Sequence, residues 1–152
     1  MARYFRRGKS LMKFLPAIAN LNAPTNAEIT AGTDLTPSIA DIGNFSFSNN
    51  PINTPDLATV FVTQIPGEDS ADSPTLTFYD DDTATTIRTA LAKGAAGYLV
   101  LMPYGQVSTK RCEVWPVTST GVADEWSAGN DPARFAVTFA VTAAPRQSAV
   151  LP

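Results

Sequence analysis

The segment RFAVTFAVTAA, residues 134–144, constrains the fold more than any other part of the chain. Phe135, Val137, Phe139 and Val141 alternate with alanine and threonine. A period of two places all the large apolar groups on one face of a β-strand, whereas a helix would spread them around its circumference. The segment therefore predicts a strand with one face in the core and one face covered by small, uncharged side chains.

Other segments predict a sheet around this strand. Strand signals occur at 57–65, which reads as a buried strand, and at 75–79, 98–102, 110–120 and around 39–48. Pro116 favours an edge or a bulge in its strand. The fold expected is mainly β: a β-sandwich or barrel of about seven strands with one flanking helix.

The chain is short enough to form a single domain, residues 1–152. Within it we expect a basic N-terminal arm or first strand at 1–19 and a long loop and hairpin at 20–56. A sandwich core with the helix follows at 57–144, and the chain ends in an arm or short strand at 145–152.

The helix is predicted at about 83–93, after three consecutive aspartates. Ala84, Ile87 and Leu91 share one face. Asp81 or Asp82 is expected to cap its start and Gly94 its end. The aspartates are thus expected to start a helix rather than bind a metal. Upstream, Thr25 and Glu28 have the spacing of a capping box, which predicts a short helix that ends at Gly32.

The composition argues against an enzyme. The chain has no histidine and one cysteine, Cys112, so the commonest general base, a disulfide and a cysteine-based zinc site are all missing. No apolar run approaches the roughly 20 residues of a membrane helix. We expect no catalytic residue, no metal, no cofactor and no membrane partner.

Weaker site patterns remain as alternatives. Glu68, Asp69 and Asp72 are close together but lack the spacing of a known calcium loop. A carboxylate pair for glycoside cleavage, or tryptophans that stack on a sugar, would use residues that more often lie on the surface or in the core. These are Glu113, Asp124 and Glu125 for the carboxylates, and Trp115 and Trp126 for the sugar.

Charge is distributed unevenly behind the net value of −3. Residues 1–13 carry five bases and no acid, whereas residues 28–82 carry ten acids and no base. Opposite charges on two parts of one chain favour attraction between copies. We expect Arg3, Arg6 and Arg7 to contact an acidic surface of another copy. The full set of interface candidates is Arg3, Tyr4, Phe5, Arg6, Arg7, Lys9, Asn49, Asn50, Pro51, Ile52 and Arg146.

Several phrases of the sequence resemble, in order and over nearly the whole chain, the major tail tube proteins of long-tailed phages that infect actinobacteria. They are RYFRRGKSLMKFLPAIAN, APTNAEITAGTDLT, FSFSNNPINTPD, IPGEDSADSPTLTFYDDD, IRTALAKGAAGYLVLMPYG and RCEVWPVT. The resemblance implies a virion tail protein, made in the host cytoplasm, whose hexameric rings stack into a hollow tube. It also implies partners among other tail proteins: the tape measure, the tail terminator and the distal tail protein.

Viral DNA would pass through such a tube without specific binding, so the wall should be small, polar and neutral to acidic. Thr138, Ala140 and Thr142 would satisfy this, but the preferred face is Asp41, Asn44, Ser46 and Ser48. Two alternative functions stay open: a tail terminator or head–tail connector that forms a single ring, and a secreted β-sandwich that binds a glycan.

Overall fold

The computed structural model describes residues 1–152 and is built on one large sheet. The strands and helices, in chain order, are β1 (Leu11–Leu15), α1 (Asn26–Ala31), β2 (Thr33–Asp34), a 3-10 turn (Thr36–Ser38), β3 (Ile39–Gly43), β4 (Phe47–Asn49), β5 (Ile52–Thr54), β6 (Thr63–Ile65), β7 (Asp69–Ala71), β8 (Thr75–Tyr79), α2 (Thr86–Ala90), β9 (Ala96–Met102), β10 (Arg111–Glu125), β11 (Arg134–Val141) and β12 (Arg146–Val150). Neither helix is long and apolar enough to cross a membrane. The mainly β prediction is confirmed.

Eight strands form the main sheet in the order β2-β1-β9-β10-β11-β8-β3, with β12 added beside β10. The neighbouring pairs are all antiparallel. Residues 57–71, which were expected within the sandwich core, lie outside the main sheet, whereas β1 and β12 belong to it.

The alternation of β11 is confirmed: Phe135, Val137 and Phe139 are buried, whereas Thr138 is exposed. These three side chains belong to a core cluster that also receives Phe14 from β1 and Phe78 from β8. Strands from opposite ends of the sheet order share this core, so the sheet curls around it.

The other face of β1, β9 and β10 has its own core. Leu15, Val100 and Val114 point to this side and pack with Ile29 of α1 and Leu151 beyond β12. The capping box of α1 is confirmed, because Thr25 and Glu28 exchange hydrogen bonds as predicted and Gly32 closes the helix. α1 and the C-terminal strand therefore cover the second face of the sheet.

The central strand β10 contains Pro116 without being an edge strand. Its first part pairs with β12 through residues 111–114, and its later part pairs with β11 through residues 117–125. Pro116, which has no N–H to donate, stands where one neighbour replaces the other. β10 also runs to Glu125, beyond the strand signal at 110–120, and the turn after it begins at Trp126.

Helix α2 is shorter than predicted. It spans five residues instead of 83–93, and its N-cap is Thr85, not Asp81 or Asp82. The Asp81 carboxylate instead accepts hydrogen bonds from the backbone N–H groups of Thr83 and Ala84, which closes the turn before the helix. These bonds hold the pKa of Asp81 below its ordinary range.

The other end of α2 is also set by tertiary contacts. The Ser119 hydroxyl donates to the carbonyl of buried Leu91 at 2.9 Å, and the helix ends there. Gly94 is not its C-cap: it lies in the following turn with φ of +88°, and its N–H donates to the Ser119 carbonyl. β10 thus fixes both the helix end and the turn after it.

Candidate assembly interface

A long hairpin leaves the main sheet between β3 and β8. We call residues 44–73 the projecting hairpin. Its inner ladder pairs Phe47 with Ala71, and its outer ladder pairs Ile52 with Ile65. At about 3.3 Å per residue, the strand from Phe47 to Thr54 carries the outer end roughly 25 Å from the body. The expectation that 57–65 is a buried strand was wrong, because every residue in that range is exposed.

The two ladders of the hairpin are separated by Pro51 on one side of the hairpin and Pro66 on the other. Neither residue lies in a strand, because each lacks the N–H that a ladder needs. Beside them, the Asn49 amide bonds both the N–H and the carbonyl of Gly67. A side chain at Gly67 would collide with the carbonyl oxygen of Asn50, so glycine permits this close approach.

The tip of the hairpin, residues 55–62, presents apolar side chains to solvent. Leu57 is 108% exposed, Val60 102% and Phe61 77%. Asp56 shapes the turn by accepting hydrogen bonds from the N–H groups of Ala58 and Thr59, which lowers its pKa. Contiguous apolar side chains this exposed are typical of a surface that binds another protein.

The base of the hairpin is anchored in the core. The Phe45 ring packs on buried Trp115 edge to face, with ring centroids 5.3 Å apart and planes at 87°. Ala71 packs on the same core from the opposite strand. The hairpin therefore leaves the body in a fixed direction.

A groove of about 610 Å³ opens next to this base, in the gap between β1 and β3 where the curled sheet does not close. Its floor and walls are mostly apolar, and Ile42, which is 49% exposed, is its most accessible large apolar side chain. Arg6, Arg7 and Glu113 also line the groove, and Glu113 pairs with Arg111 at 3.7 Å. We call this site the groove; its principal lining residues are Arg6, Arg7, Leu11, Ile39, Ile42, Phe45, Leu101 and Glu113.

The N-terminal segment folds back on the body rather than extending freely. Tyr4 packs against Tyr104 with ring centroids 5.2 Å apart, and the Lys9 ammonium lies 5.2 Å from the Tyr4 ring centre. The N–H groups of Lys9 and Ser10 donate to the carbonyl of Arg6, which forms a turn. This turn brings Arg6 and Arg7 to the groove, and both side chains stay exposed, as do those of Arg3 and Phe5.

The remaining predicted interface and lumen residues lie on the surface. Asn49 to Ile52 form the middle of the projecting hairpin, and Arg146 begins β12. Asp41, Asn44, Ser46 and Ser48 are exposed along β3 and the hairpin base. Within this set Ser46 donates to Asp72, and the Ser48 and Ser70 hydroxyls lie 3.2 Å apart. The four lumen candidates thus follow one another along β3 and the start of the hairpin, and their assignment to a channel wall stays a prediction.

The alternative sites do not assemble. Trp115 is 1% exposed, so it cannot stack on a sugar, although Trp126 is 91% exposed. Asp124 bonds Arg88 at 2.6 Å, and this contact contributes most to raising the pKa of Arg88. Glu125 pairs with Arg134, far along β10 from Glu113. No three acidic or cysteine side chains converge to hold a metal ion.

Comparison with known families matches residues 1–152 to the family model described as phage tail tube protein. The chain belongs to this phage tail tube family. It is therefore a structural component of the virion tail. A comparison with curated protein sequences found no match.

Two solved structures share this fold over almost the whole chain. One is the sheath/tube terminator of an extracellular contractile injection system, PVC, in the extended state, with a TM-score of 0.65, 10% identity, and coverage of 95% of this chain and 98% of that one. Another is a chain of the anti-feeding prophage baseplate, with a TM-score of 0.64, 12% identity and 96% coverage of both. At 10% and 12% identity, the similarity to these two structures shows only that the fold is shared.

Sequence reasoning missed the two features that stand out in the tail tube chain. The groove draws its lining from β1, β3, β9 and β10, which are far apart in sequence, so no local pattern could indicate it. The signal from the tip was misinterpreted. The apolar, β-branched residues at 57–62 indicate a buried surface, but they do not indicate whether the same chain or another chain covers it. Two prolines bracketing that run, Pro55 and Pro66, were the cue for an interruption of the sheet.

Proposed function

We propose that this protein is the subunit of a hollow tail tube, in which hexameric rings stack to form the conduit for genome ejection. The observation that carries the proposal is the projecting hairpin, whose apolar tip is exposed in the single chain of a tail tube family member. An exposed apolar surface of this kind marks a site that another chain covers in an assembly. No catalytic step is part of this proposal.

Two strand edges of the main sheet are candidate surfaces for closing the ring. β3 pairs only with β8, and β12 pairs only with β10, so each has one edge without a neighbouring strand. Unpaired edges invite strand addition from another chain. We propose that β3 lies beside a neighbouring subunit, which would extend the sheets around a continuous inner wall.

The lumen wall of the proposed tube would be the polar edge formed by Asp41, Asn44, Ser46 and Ser48. Ile42, next to Asp41 on the strand, lines the groove, so β3 would present one face to the channel and the other to the subunit body. Asp72, bonded to Ser46, adds negative charge to the polar side. Like charge would keep the DNA phosphates from adhering during passage.

A tail terminator is the second candidate function. The fold likeness to a sheath/tube terminator favours it, because the two chains cover each other almost completely. A terminator would form a single closed ring at the end of the tube and would not stack on itself. The two functions therefore differ in whether the assembly grows.

Electron microscopy of the purified protein over a concentration series, with light scattering on the same samples, separates these functions. Long hollow tubes of uniform diameter with six subunits per ring support the tube subunit. Single closed rings at all concentrations support the terminator. Protein that stays monomeric at every concentration and after addition of isolated tail tips would contradict both.

Further partners follow from the proposed role. The tape measure protein would occupy the lumen before ejection, the distal tail protein would start the tube, and a terminator would end it. From the sequence resemblance we also propose that the phage is long-tailed and infects an actinobacterium.

A further inference from the structure

We propose that the tip of one copy seats in the groove of a second copy, with Phe61 and its apolar neighbours on the groove floor. The inference rests on the proposed tube function, and it names the surface of the partner that receives the tip. The tip and the groove both lack a partner within the single chain, and the proposal pairs one with the other.

The two surfaces match in chemistry. Ile42 and Phe45 contribute apolar side chains to the lining of the groove. The apolar side chains of the tip, those of Leu57, Val60 and Phe61, are exposed to solvent. The volume of about 610 Å³ lies in the range of pockets that enclose apolar ligands with several ring or branched groups.

The surfaces also match in charge. The projecting hairpin carries four acids and no base; they are Asp56, Glu68, Asp69 and Asp72. Arg6 and Arg7 stand at the groove, where the single acid Glu113 is already paired with Arg111. Asp56, at the start of the tip, is the acid that a docked tip would bring closest to these arginines. We expected the basic N-terminal segment to contact an acidic surface of another copy, and this pairing identifies Asp56 as the acidic group.

The groove cannot receive the tip of its own chain. Phe45 lines the groove and also begins the projecting hairpin, whose tip lies roughly 25 Å away along an extended ladder. Different surfaces of the two copies therefore meet. Unless two copies exchange their tips reciprocally, such a contact leaves a free tip on one copy and a free groove on the other. It then continues to further copies, either as a closed ring or as an open filament, depending on the rotation between neighbours.

Cysteine crosslinking tests the contact in the full chain. The native Cys112 is buried, with burial raising the pKa of its thiol to about 11, so introduced cysteines are the reactive ones. The test variant is Phe61→Cys with Ile42→Cys, treated with a short bismaleimide after assembly. The matched control is Trp126→Cys with Ile42→Cys, because Trp126 is an equally exposed aromatic residue on a different loop.

The expected result is a ladder of covalent trimers and larger multimers for the test variant, and at least tenfold less of these products for the control. A mixture of the two single variants, Phe61→Cys and Ile42→Cys, should give dimers only, since each copy then has one reactive end. Tubes without crosslinking above the control would overturn the docking while leaving the tube function intact. Crosslinking without tubes would support the docking and contradict the tube. Dimers from Ile42→Cys alone would indicate face-to-face packing and overturn the docking.

Charge neutralisation gives an independent readout. Asp56→Asn keeps the side-chain oxygen that accepts the turn bonds from Ala58 and Thr59 and removes only the charge. This change alone, or Arg6→Gln with Arg7→Gln, should raise the concentration needed for assembly about two- to fivefold at low salt. Combining all three changes should raise it no further than either change alone, whereas Asp82→Asn, at an exposed acid elsewhere, should change nothing. Effects that add in the combined variant would refute the pairing of Asp56 with these arginines.

Discussion

Replacing Phe45 with alanine should loosen the projecting hairpin from the body. The ring is partly buried and packs edge to face on Trp115 with centroids 5.3 Å apart. Truncating a fully buried phenylalanine costs about 3–5 kcal/mol, of which an aromatic pair contributes about 0.5–1.5 kcal/mol. Since Phe45 is only partly buried, we expect a loss of about 2–3 kcal/mol in the free energy of unfolding.

Urea unfolding measures this loss on protein kept below its assembly concentration, as checked by light scattering. Phe45→Leu is the control, because it retains the apolar burial and removes only the aromatic contact, at about 1 kcal/mol. Amide hydrogen exchange at Ser48 and Ser70 should speed up in the alanine variant, since the inner ladder starts at this anchor. A loss below about 0.5 kcal/mol, or unchanged exchange in the inner ladder, would refute the anchoring role.

Three further predictions concern the body. Gly97→Ala should lower the free energy of unfolding by about 1–3 kcal/mol, because the added Cβ would lie 2.6 Å from the Leu15 carbonyl oxygen. The control Gly43→Ala, whose Cβ would meet nothing within 4 Å, should lower it far less. Thermal unfolding of the two variants measures the difference. The Cys112 thiol should resist a thiol reagent at pH 8 in the native state and react in urea; rapid native labelling would contradict its burial. Glu28, whose pKa is lowered by bonds from the N–H groups of Thr25 and Ala19, should titrate below the ordinary glutamate value of about 4.3 by NMR. Its contribution to stability is present above that value and lost as the pH falls through the lowered pKa; an ordinary or raised pKa would contradict the capping geometry.

The parts of the fold that the sequence predicted are those decided by neighbours along the chain. The alternation in β11 and the capping box of α1 are local, and both are confirmed. Helix α2 was overextended because its periodicity was correct but its ends depend on distant groups. Ser119, on β10, holds the carbonyl of Leu91, and no local signal near Leu91 indicates that contact.

The candidate interface was predicted only in part. The basic segment and the middle of the hairpin were singled out, but the tip was assigned to the core because apolar content alone does not distinguish burial within a chain from burial between chains. Phe61 and Ile42 are both exposed in the single chain. The contact proposed between them depends on how the sheet curls, because the curl brings β3 near β1 without pairing the two strands.

The prolines that divide the projecting hairpin have a mechanical consequence. Between the two ladders the strands are tied by the backbone bond from the Asn50 N–H to the Glu68 carbonyl and by the Asn49 side chain on Gly67, because Pro51 and Pro66 leave a gap in the backbone ladder. Bending there would strain one backbone hydrogen bond and a side-chain amide rather than break a strand ladder. A long filament built from such subunits could curve under load, with each outer ladder pivoting by a small angle while its end stays seated. Compliance of the whole filament would then originate in one joint repeated in every subunit.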